Sequence, residues 1–298
     1  RDRSVSRGLG DVYKRQGLQM KKLRFILALF SCSMLIAEGS LHAGALSYCG
    51  TLTYIISDNH AVITGFEGKP EILELPSVID GKKVMEIREN AFYKCTDLKK
   101  IVIPESVTEI GHHAFYECTS LETAVINGNI SKIAEGTFYG CKSLDSVSIN
   151  SSPLSFGDYA FYGCESLESF SFPPSVTDIG EYSFADCASL YDLNINRELK
   201  NIDSYAFYNC ENLNKVRLPD GLLSVGRYAI GFSCEGTLKD ITITGDSDSI
   251  AEHYADENNL KFRERVYYEN RSFISADTAA GILAWIPFAV IYLSLIHI

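Results

Sequence analysis

Hydrophobic positions recur in this chain with a period of 23 residues. Each period contains a leucine followed by a short stretch in which apolar and exposed positions alternate, as in "LDSVSI" at 144–149 and "LESFSF" at 167–172. Such alternation predicts a short β-strand. A second apolar pair follows, for example Val176 and Ile179, and then a glycine such as Gly180, which predicts a tight turn.

The same period carries one phenylalanine and one cysteine at constant positions. "AFYKCTDL" at 91–98 is followed by "AFYECTSL" at 114–121, and the pattern persists to "AFYNCENL" at 206–213. A unit of 23 residues cannot bury its own apolar face, so we expect successive coils to stack and to share one core. The residues predicted to form structural columns inside the stack are Phe92, Phe115, Phe138, Phe161, Phe184 and Phe207, and Cys95, Cys118, Cys141, Cys164, Cys187 and Cys210.

Different patterns at the two ends of the array predict caps. "LTYIISDNHAVITGF" at 52–66 alternates on both sides of positions 58–59 and predicts a β-hairpin. Ser249 and Glu252 form an S-x-x-E capping box, which predicts a helix that continues to about Leu260. The predicted fold is therefore a mostly β solenoid of short parallel strands stacked coil on coil. Turns or short 3-10 segments connect the strands, and the ends are a hairpin N-cap and a C-terminal capping helix.

The repeat resembles that of a known family. The order L-x-x-apolar-x-apolar-P, then V-x-x-I-G-x-x-A-F-x-x-C-x-x-L, is similar to the BspA-like, or Treponema pallidum-type, leucine-rich repeat, and the similarity covers about residues 50–262. The resemblance implies a right-handed leucine-rich-repeat solenoid, export to the bacterial surface, and adhesion to or recognition of protein and glycan partners. It implies no catalytic residues, because the family shares none.

The two termini differ from the array in composition. From Met20, basic residues precede a short apolar run and small residues at 43–45, an order typical of a secretory signal peptide. An alternative places a lipoprotein cleavage site before Cys32. Twenty apolar residues end the chain and predict a truncated membrane anchor, with a buried terminal segment as the alternative.

These patterns predict seven consecutive segments. Residues 1–19 and the terminal "LSLIHI" resemble translated sequencing-adapter sequence and are excluded from the fold prediction. The predicted boundaries are 1–19, adapter-like; 20–45, signal peptide; 46–75, N-terminal hairpin cap and first strand; 76–238, repeats; 239–262, closing repeat with helix; 263–278, linker; and 279–298, candidate membrane anchor.

Charge and motif content exclude several function classes. The formal net charge is −11, and residues 46–298 alone carry −16, so the surface repels phosphate backbones and we predict no nucleic-acid partner. The chain lacks the G-x-S-x-G, P-loop, H-E-x-x-H and G-x-G-x-x-G patterns. We therefore predict that the protein is not an enzyme and uses no cofactor or metal.

The repeated cysteines allow two interpretations. A secreted chain with many cysteines suggests disulfides, and a separation of about 4.8 Å between coils lies within the range that a disulfide tolerates. However, cysteine is also one of the most buried residue types as a free thiol. We favour inert interior thiols, and no C-x-x-C pair indicates zinc.

The outward positions of the predicted strands are the candidate binding face. Solenoids use such extended faces for recognition, although plain solvation of the strands is the alternative. Two series of tyrosines form a second set, which we interpret as half-buried packing rather than as a recognition surface. One series precedes the small residue of a coil, at Tyr159, Tyr182, Tyr205 and Tyr228, and the other follows the phenylalanine, at Tyr93, Tyr116, Tyr139, Tyr162 and Tyr208. The predicted ligand-binding residues are Thr123, Val125, Ser146, Ser148, Ser169, Ser171, Asp192 and Asn194.

Together these features predict an exported bacterial protein at the cell surface or outside the cell. It would bind an unknown protein or glycan, such as a host matrix component, through the strand face, with membrane attachment through the C-terminal segment. One alternative is an accessory repeat domain of an exported enzyme whose catalytic part is absent from this sequence. Another is a purely structural surface layer.

Overall fold

The computed structural model describes residues 21–26, 49–57, 59–234, 236–237 and 240–265. Two compact units are distinguished, Arg1–Glu264 and Arg265–Ile298, and the array of repeats belongs to the first unit. Several predicted segments fall outside the described residues: 1–19, the signal-peptide residues 27–45, the linker residues 266–278 and the candidate membrane anchor at 279–298.

The first unit consists of short strands and one helix, which confirms the mostly β prediction. In chain order the elements are β1 (Lys21–Ile26), β2 (Cys49–Ser57), β3 (His60–Gly68), β4 (Ile72–Glu74), β5 (Val78–Ile79), β6 (Lys82–Ile87), β7 (Lys100–Ile103), β8 (Glu109–Ile110), β9 (Thr123–Ile126), β10 (Lys132–Ile133), β11 (Ser146–Ile149), β12 (Ser155–Phe156), β13 (Ser169–Ser171), β14 (Asp178–Ile179), β15 (Asp192–Asn194), β16 (Asn201–Ile202), β17 (Lys215–Arg217), β18 (Ser224–Val225), β19 (Phe232–Ser233), β20 (Gly236–Thr237), β21 (Thr242–Gly245), α1 (Ile250–Glu257) and β22 (Lys261–Glu264).

Each repeat contributes a longer strand, a two-residue strand and a turn segment, and equivalent elements stack in parallel. The longer strands pair in the sets β4-β7-β9-β11, β13-β15 and β17-β21-β22. The two-residue strands pair as β10-β12-β14-β16-β18. The register is constant, because Ser146 lies opposite Thr123 and Ile202 opposite Ile179, each one repeat away. This pairing confirms the predicted solenoid of coils stacked in parallel.

The turn segments form the third side of each coil and have inter-coil hydrogen bonds of their own. The Phe115 N–H donates to the Thr137 carbonyl (2.9 Å), and one coil later the Phe138 N–H donates to the Ala160 carbonyl (2.8 Å). The backbone is therefore bonded between coils on all three sides, which satisfies polar groups that the core would otherwise leave unpaired.

The repeated glycines serve a purpose that differs from the predicted tight turn. A Cβ added to Gly111 would lie 2.4 Å from the Glu89 nitrogen, and one added to Gly226 would lie 2.3 Å from the Ser204 nitrogen. Neither glycine has a φ angle in the left-handed region. The absence of a side chain at these two positions thus permits neighbouring coils to approach closely, backbone to backbone.

The sheet of longer strands is interrupted between β15 and β17 and, earlier in the chain, between β11 and β13. The earlier interruption coincides with a change of core residues. The two inward positions change there from Val147 and Ile149 to Phe170 and Phe172. The rings of Phe170 and Phe172 pack edge to face with centroids 4.9 Å apart, and both also contact Phe156. We attribute the interruption to the larger volume of these rings, because a well-packed core accommodates added volume by shifting the backbone.

The N-terminal end is capped by the predicted hairpin. Strands β2 and β3 pair antiparallel, with Leu52 opposite Phe66 and Ser57 opposite His60. Strand β3 then pairs in parallel with β6, and β6 pairs with β8, so the hairpin continues into the side formed by two-residue strands. The β1 backbone, within the predicted signal peptide, pairs antiparallel with β2.

The C-terminal end is capped by α1 and β22. The Glu252 N–H donates to the Ser249 hydroxyl (3.4 Å), as the capping box predicts, whereas the Glu252 carboxylate accepts from the N–H of Asp248 (2.6 Å). The helix ends at Glu257 rather than near Leu260. The chain then adds β22 in parallel to β21, so this strand crosses the predicted start of the linker at residue 263.

Tyr254 of α1 closes the core at the last coil. Its hydroxyl donates to the Ile230 carbonyl (2.8 Å) and accepts from the Ile230 N–H (2.9 Å). Burial raises the pKa of Tyr254 to about 12, so the phenol remains a donor at neutral pH. The main core cluster runs without a break from Leu52 to Leu260. Within the described part of the chain, no helix is long and apolar enough to cross a bilayer.

Candidate functional site

The structure places the predicted ligand-binding residues on one side of the coils. Ser146, Ser169 and Asp192 form one row and Ser148, Ser171 and Asn194 form the next, and all six are exposed. The preceding members, Thr123 and Val125, are partly buried. The exposed rows present hydroxyl, amide and carboxylate groups, which can both donate and accept hydrogen bonds.

This strand face is divided at its centre. Thr123 and Val125 lie opposite Ser146 and Ser148 in one sheet, whereas the other four predicted residues belong to the separate pair β13-β15. Side-chain contacts already engage part of the first section. Ser148 donates to Asn150 (3.3 Å), and Asn150 in turn donates to Asn127 (2.8 Å).

The repeated phenylalanines lie together inside the coils. All six rings are completely buried, and neighbouring rings are stacked with centroids 5.0–5.4 Å apart. Ile230, also completely buried, takes the equivalent position in the coil that Tyr254 covers. These rings have no access to a ligand, so their contribution is to the core.

The repeated cysteines lie beside the phenylalanines as free thiols. The Cys118 thiol donates to the carbonyl of Phe92 in the preceding coil (3.1 Å), and that carbonyl also accepts from the Cys95 N–H (3.1 Å). The equivalent thiol bonds to the preceding phenylalanine are made by Cys141, Cys164, Cys187 and Cys210, at 3.2–3.4 Å. Each thiol therefore satisfies the second lone pair of a buried carbonyl.

Burial makes these thiols chemically inert. It raises the pKa of Cys95 to about 11, and it raises the pKa values of the other five well above the usual range of a thiol, at Cys118, Cys141, Cys164, Cys187 and Cys210. Because the thiolate is the nucleophile and the metal ligand, a protonated buried thiol does neither chemistry. Cys234 differs, since it lies exposed between β19 and β20.

A band of tyrosines on the outside of the turn segments was not part of the predicted binding site. We define the tyrosine band as Tyr93, Tyr116, Tyr139, Tyr162, Tyr159, Tyr182, Tyr205 and Tyr228. Tyr93 is 45% exposed and the other seven are partly buried. From Tyr93 to Tyr162, and again from Tyr159 to Tyr228, successive ring centroids are 4.5–5.6 Å apart.

The tyrosine band changes position half-way along the coils. In its N-terminal half, each tyrosine follows the phenylalanine of its repeat. In its C-terminal half, from Tyr159 onward, each tyrosine precedes the alanine or serine that comes before the phenylalanine, or before Ile230 in the last coil. The two halves meet where Tyr159 lies 5.9 Å from Tyr162 and 6.4 Å from Tyr139. Neither repeat position requires tyrosine, since Ala185 occupies the position after the phenylalanine in one repeat and Gly136 occupies the other position in another repeat.

The four tyrosines of the C-terminal half have a backbone conformation that rarely suits a bulky residue. Their φ angles lie between 52° and 60°. The same position in earlier coils is occupied by Asn90, His113 and Gly136, also at positive φ. Glycine and asparagine adopt this left-handed conformation most readily, so tyrosine at this position is not explained by backbone preference.

Carboxylates lie close to this half of the band. Asp158 accepts from the Glu181 N–H (2.8 Å), and Asp178 accepts from Asn201 (2.7 Å). Burial raises the pKa of Asp203, and the nearby charges of Asp158 and Asp178 raise it further. The shift indicates that three carboxylates share this region. Groups of three or more metal-ligating side chains suited to an ion are absent from the described residues.

Comparison with protein families identifies the repeat. The sequence pattern of the BspA type leucine rich repeat region matches six copies, over residues 71–187 and 132–261. Together the matched ranges include well over half of the chain. No curated protein matches the chain in sequence.

Comparison with solved structures finds leucine-rich repeat proteins. A leucine-rich repeat protein of T. pallidum is 27% identical, with 71% of this chain and 95% of that chain covered and a TM-score of 0.54. A leucine-rich cell surface protein of Faecalibacterium prausnitzii is 28% identical, with 69% and 56% covered and a TM-score of 0.58. A leucine-rich repeat protein of Bacteroides ovatus is 22% identical, with 76% and 68% covered and a TM-score of 0.55, a likeness of fold alone.

Proposed function

The chain belongs to the BspA-type leucine-rich repeat family, and from this we propose that it is an exported surface protein that binds a protein or glycan through its strand face. The similarity to the leucine-rich cell surface protein of F. prausnitzii supports a location outside the cell. Its function would be adhesion or recognition, and it would catalyse no reaction.

The observation that carries this proposal is the pair of exposed rows on the strand face. Ser146 and Ser148 place two hydroxyl groups on one coil, and Ser169 and Ser171 place two more at the equivalent positions of the next coil. Asp192 and Asn194 extend the rows by one coil with acceptor and amide groups. An extended ligand would therefore meet a regular series of hydrogen-bonding groups on a rigid support.

The support is rigid because the inward residues of the same strands belong to the core. Phe170 is 5% exposed and Leu193 is 8% exposed, while their strand neighbours point outward. A face whose backbone is held by the core loses little conformational entropy when a ligand binds. This explains how small polar side chains would give measurable affinity.

The proposal is tested by blocking the rows with a bulky charge. We would screen the full chain against an array of glycans and extracellular matrix proteins, and then compare it with the double variant Ser148→Arg and Ser171→Arg. We expect retention of the best ligand to fall about tenfold or more, since two arginines occupy the path of the ligand and a tenfold loss corresponds to about 1.4 kcal/mol. The unfolding midpoint should not change, because both serines are exposed.

A matched control makes the same change elsewhere. Ser131→Arg and Ser152→Arg add the same two charges at exposed serines in the connections between longer and two-residue strands. We expect this control to bind like the unmodified chain. Equal retention by the Ser148/Ser171 variant and the unmodified chain would reject the strand face as the binding surface.

A further inference from the structure

We propose that the C-terminal half of the tyrosine band is a second binding surface, and that it takes an extended lysine- or arginine-bearing segment of a partner protein. This surface consists of Tyr159, Tyr182, Tyr205 and Tyr228 with the carboxylates beside them. It lies on the turn segments and is separate from the strand face, so the two proposals stand or fall independently.

The stacking of the rings restricts the kind of ligand. Tyr159 and Tyr182 lie with centroids 5.1 Å apart and planes 6° apart, and Tyr182 and Tyr205 with 4.7 Å and 3°. Because these ring faces cover one another, what remains for a partner is a row of ring edges and hydroxyl groups. A lysine or arginine side chain suits such a row, since its stem is apolar and its charged end is a hydrogen-bond donor.

The neighbouring carboxylates supply the matching charge. Asp158, Asp178, Glu181 and Asp203 lie in the coils that carry Tyr159, Tyr182 and Tyr205. None of the four takes part in an ion pair within the described residues. Close, unneutralised negative charges repel one another, and a cationic partner relieves that repulsion.

The N-terminal half of the band differs because its charges are already paired within the chain. Lys94 pairs with Glu117 (3.1 Å), and Lys142 pairs with Glu165 (2.7 Å). The Lys94 ammonium also lies 5.2 Å from the centroid of the Tyr93 ring. This half therefore combines tyrosine with paired cations and carboxylates, whereas the carboxylates in the coils of Tyr159, Tyr182 and Tyr205 have no ion-pair partner within the described residues.

The last ring of the band shows how a cation contacts it. The Arg227 guanidinium lies 4.5 Å from the centroid of the Tyr228 ring and donates to the Tyr228 hydroxyl (2.9 Å). Both ends of the band thus hold a cation of this chain against a tyrosine. Between them, Glu181 lies near Tyr159 and Tyr182, and a partner segment would provide cations for it and for the neighbouring carboxylates.

The fold does not account for these tyrosines by itself. Asn90 occupies the same repeat position with a φ angle of 56°, close to the 52° of Tyr182. Asparagine adopts this conformation at lower cost than tyrosine does. The chain therefore provides its own replacement, which removes the aromatic edge and keeps the backbone.

The test measures binding of a labelled peptide of twelve residues in which lysine and serine alternate, by fluorescence anisotropy with the full chain. We expect binding that weakens as salt is added, because the contacts are charge pairs at the surface. The triple variant Tyr159→Asn, Tyr182→Asn and Tyr205→Asn should bind about tenfold more weakly or worse, because it loses three ring edges that contact the apolar stem of lysine and three hydroxyl groups that accept from its ammonium. The triple variant Asp158→Asn, Glu181→Gln and Asp203→Asn should show a similar loss.

A third variant tests whether the loss of negative charge anywhere on the chain is enough to weaken binding of the peptide. Glu122→Gln, Asp145→Asn and Glu168→Gln remove the same number of charges from exposed residues at the start of the longer strands. We expect this control to bind within about twofold of the unmodified chain. Circular dichroism and the unfolding midpoint verify that each variant is folded.

Three results would overturn the proposal. The first is an equal loss of binding in the control and in the carboxylate variant, which would mean that only net charge matters. The second is full binding by the tyrosine variant while it remains folded. The third is stronger binding of the matching glutamate–serine peptide or of a neutral oligosaccharide. Loss of glycan capture in the Ser148/Ser171 variant has no bearing on this peptide, so failure of one proposal is distinguishable from failure of the other.

Discussion

Phe161 and Tyr162 are neighbours in the sequence, yet one ring lies inside the stack of coils and the other lies on its outside. Both belong to series with the same period, and both rings stack on their equivalents, at 5.2 Å for Phe138–Phe161 and 4.7 Å for Tyr139–Tyr162. The period and the stacking distance are thus nearly the same for the inner phenylalanine column and for the outer tyrosine band.

Burial separates the two series. The inner column has no exposed surface, so any change in volume there is felt as a cavity or as strain. The outer band is partly exposed, so its rings can be exchanged at small cost to stability and remain accessible to a partner. The side of the backbone on which a repeated residue lies therefore decides whether it is part of the core or is accessible to a partner.

The largest expected difference between inner and outer groups is the response to alkaline pH. The repeated cysteines lie beside the phenylalanine column, and burial raises the pKa values of their thiols above the usual value near 9. Folding therefore favours the protonated form. The stabilisation is complete below pH 9 and is lost above it, because thiols of the unfolded chain ionise while those of the folded chain do not. Above pH 9 the unfolding free energy falls by about 1.4 kcal/mol per pH unit for each thiol. The combined loss from the five buried thiols is therefore larger than the loss expected from any single substitution.

Urea unfolding under reducing conditions between pH 7.5 and pH 10 would check this expectation. The outer tyrosines contribute little in this range, since an ordinary phenol has a pKa of about 10 and burial raises the pKa values of Tyr159 and Tyr182. Replacing Cys164 by alanine should reduce the slope by the share of one thiol. An unfolding free energy that is the same at pH 7.5 and pH 10 would contradict the inference that burial keeps these thiols protonated in the folded chain.

The next largest effect compares one inner ring with one outer ring. Phe161→Ala removes a completely buried ring between Phe138 and Phe184 and should lower the unfolding free energy by about 3–5 kcal/mol. Tyr182→Asn should change it by less than about 1 kcal/mol, because lost stacking is offset by the preference of asparagine for positive φ. Urea midpoints of the two variants measure the difference, and similar midpoints would show that burial does not separate the two series.

The smallest expected effect concerns two buried hydroxyl groups at the repeat position directly before the phenylalanine. Ser183 and Thr137 occupy the repeat position that alanine takes at Ala114, Ala160 and Ala206, and both are completely buried. Among the residues that the structure describes, the Ser183 hydroxyl finds no hydrogen-bond partner, whereas the Thr137 hydroxyl donates to the Ala134 carbonyl (2.8 Å). We expect Ser183→Ala to raise the unfolding free energy by roughly 1 kcal/mol and Thr137→Ala to lower it by a similar amount.

Thermal or urea unfolding of the two alanine variants is sufficient to check these signs. The two substitutions are matched, since each creates the alanine that other coils already have at this position. A loss of stability in both variants would mean that the Ser183 hydroxyl contributes in the same way as the Thr137 hydroxyl, contrary to its lack of a partner.

Much of the fold was predictable from the sequence because local patterns repeat many times. The hairpin at 52–66, the parallel coils and the helix after Ser249 follow from alternation, period and a capping box, and the structure confirms them. The interruption between β11 and β13 was not predicted. Phe170 and Phe172 match the apolar pattern, and only their volume in the packed core distinguishes them from Val147 and Ile149.

The candidate site was predictable in part. Alternation alone identified the outward residues Ser148 and Ser171, because a strand exposes every second side chain. For the tyrosine band the sequence favours half-buried packing, since the shift of the band from one repeat position to the other hides its continuity. Positive φ angles, ring stacking and unpaired carboxylates around Tyr182 are properties of the folded chain that no single repeat displays.

The sequence by itself determined that this protein is a stack of similar coils, because a unit of 23 residues has an apolar face that only its neighbours can cover. It also determined which residues repeat. The tertiary structure alone decided what each repeated residue does: Gly111 permits two backbones to approach, Cys118 donates to a buried carbonyl, and Tyr182 lies beside carboxylates outside the core. The reason is that these contacts join different coils, and the distance between coils is set by the packing of the whole core.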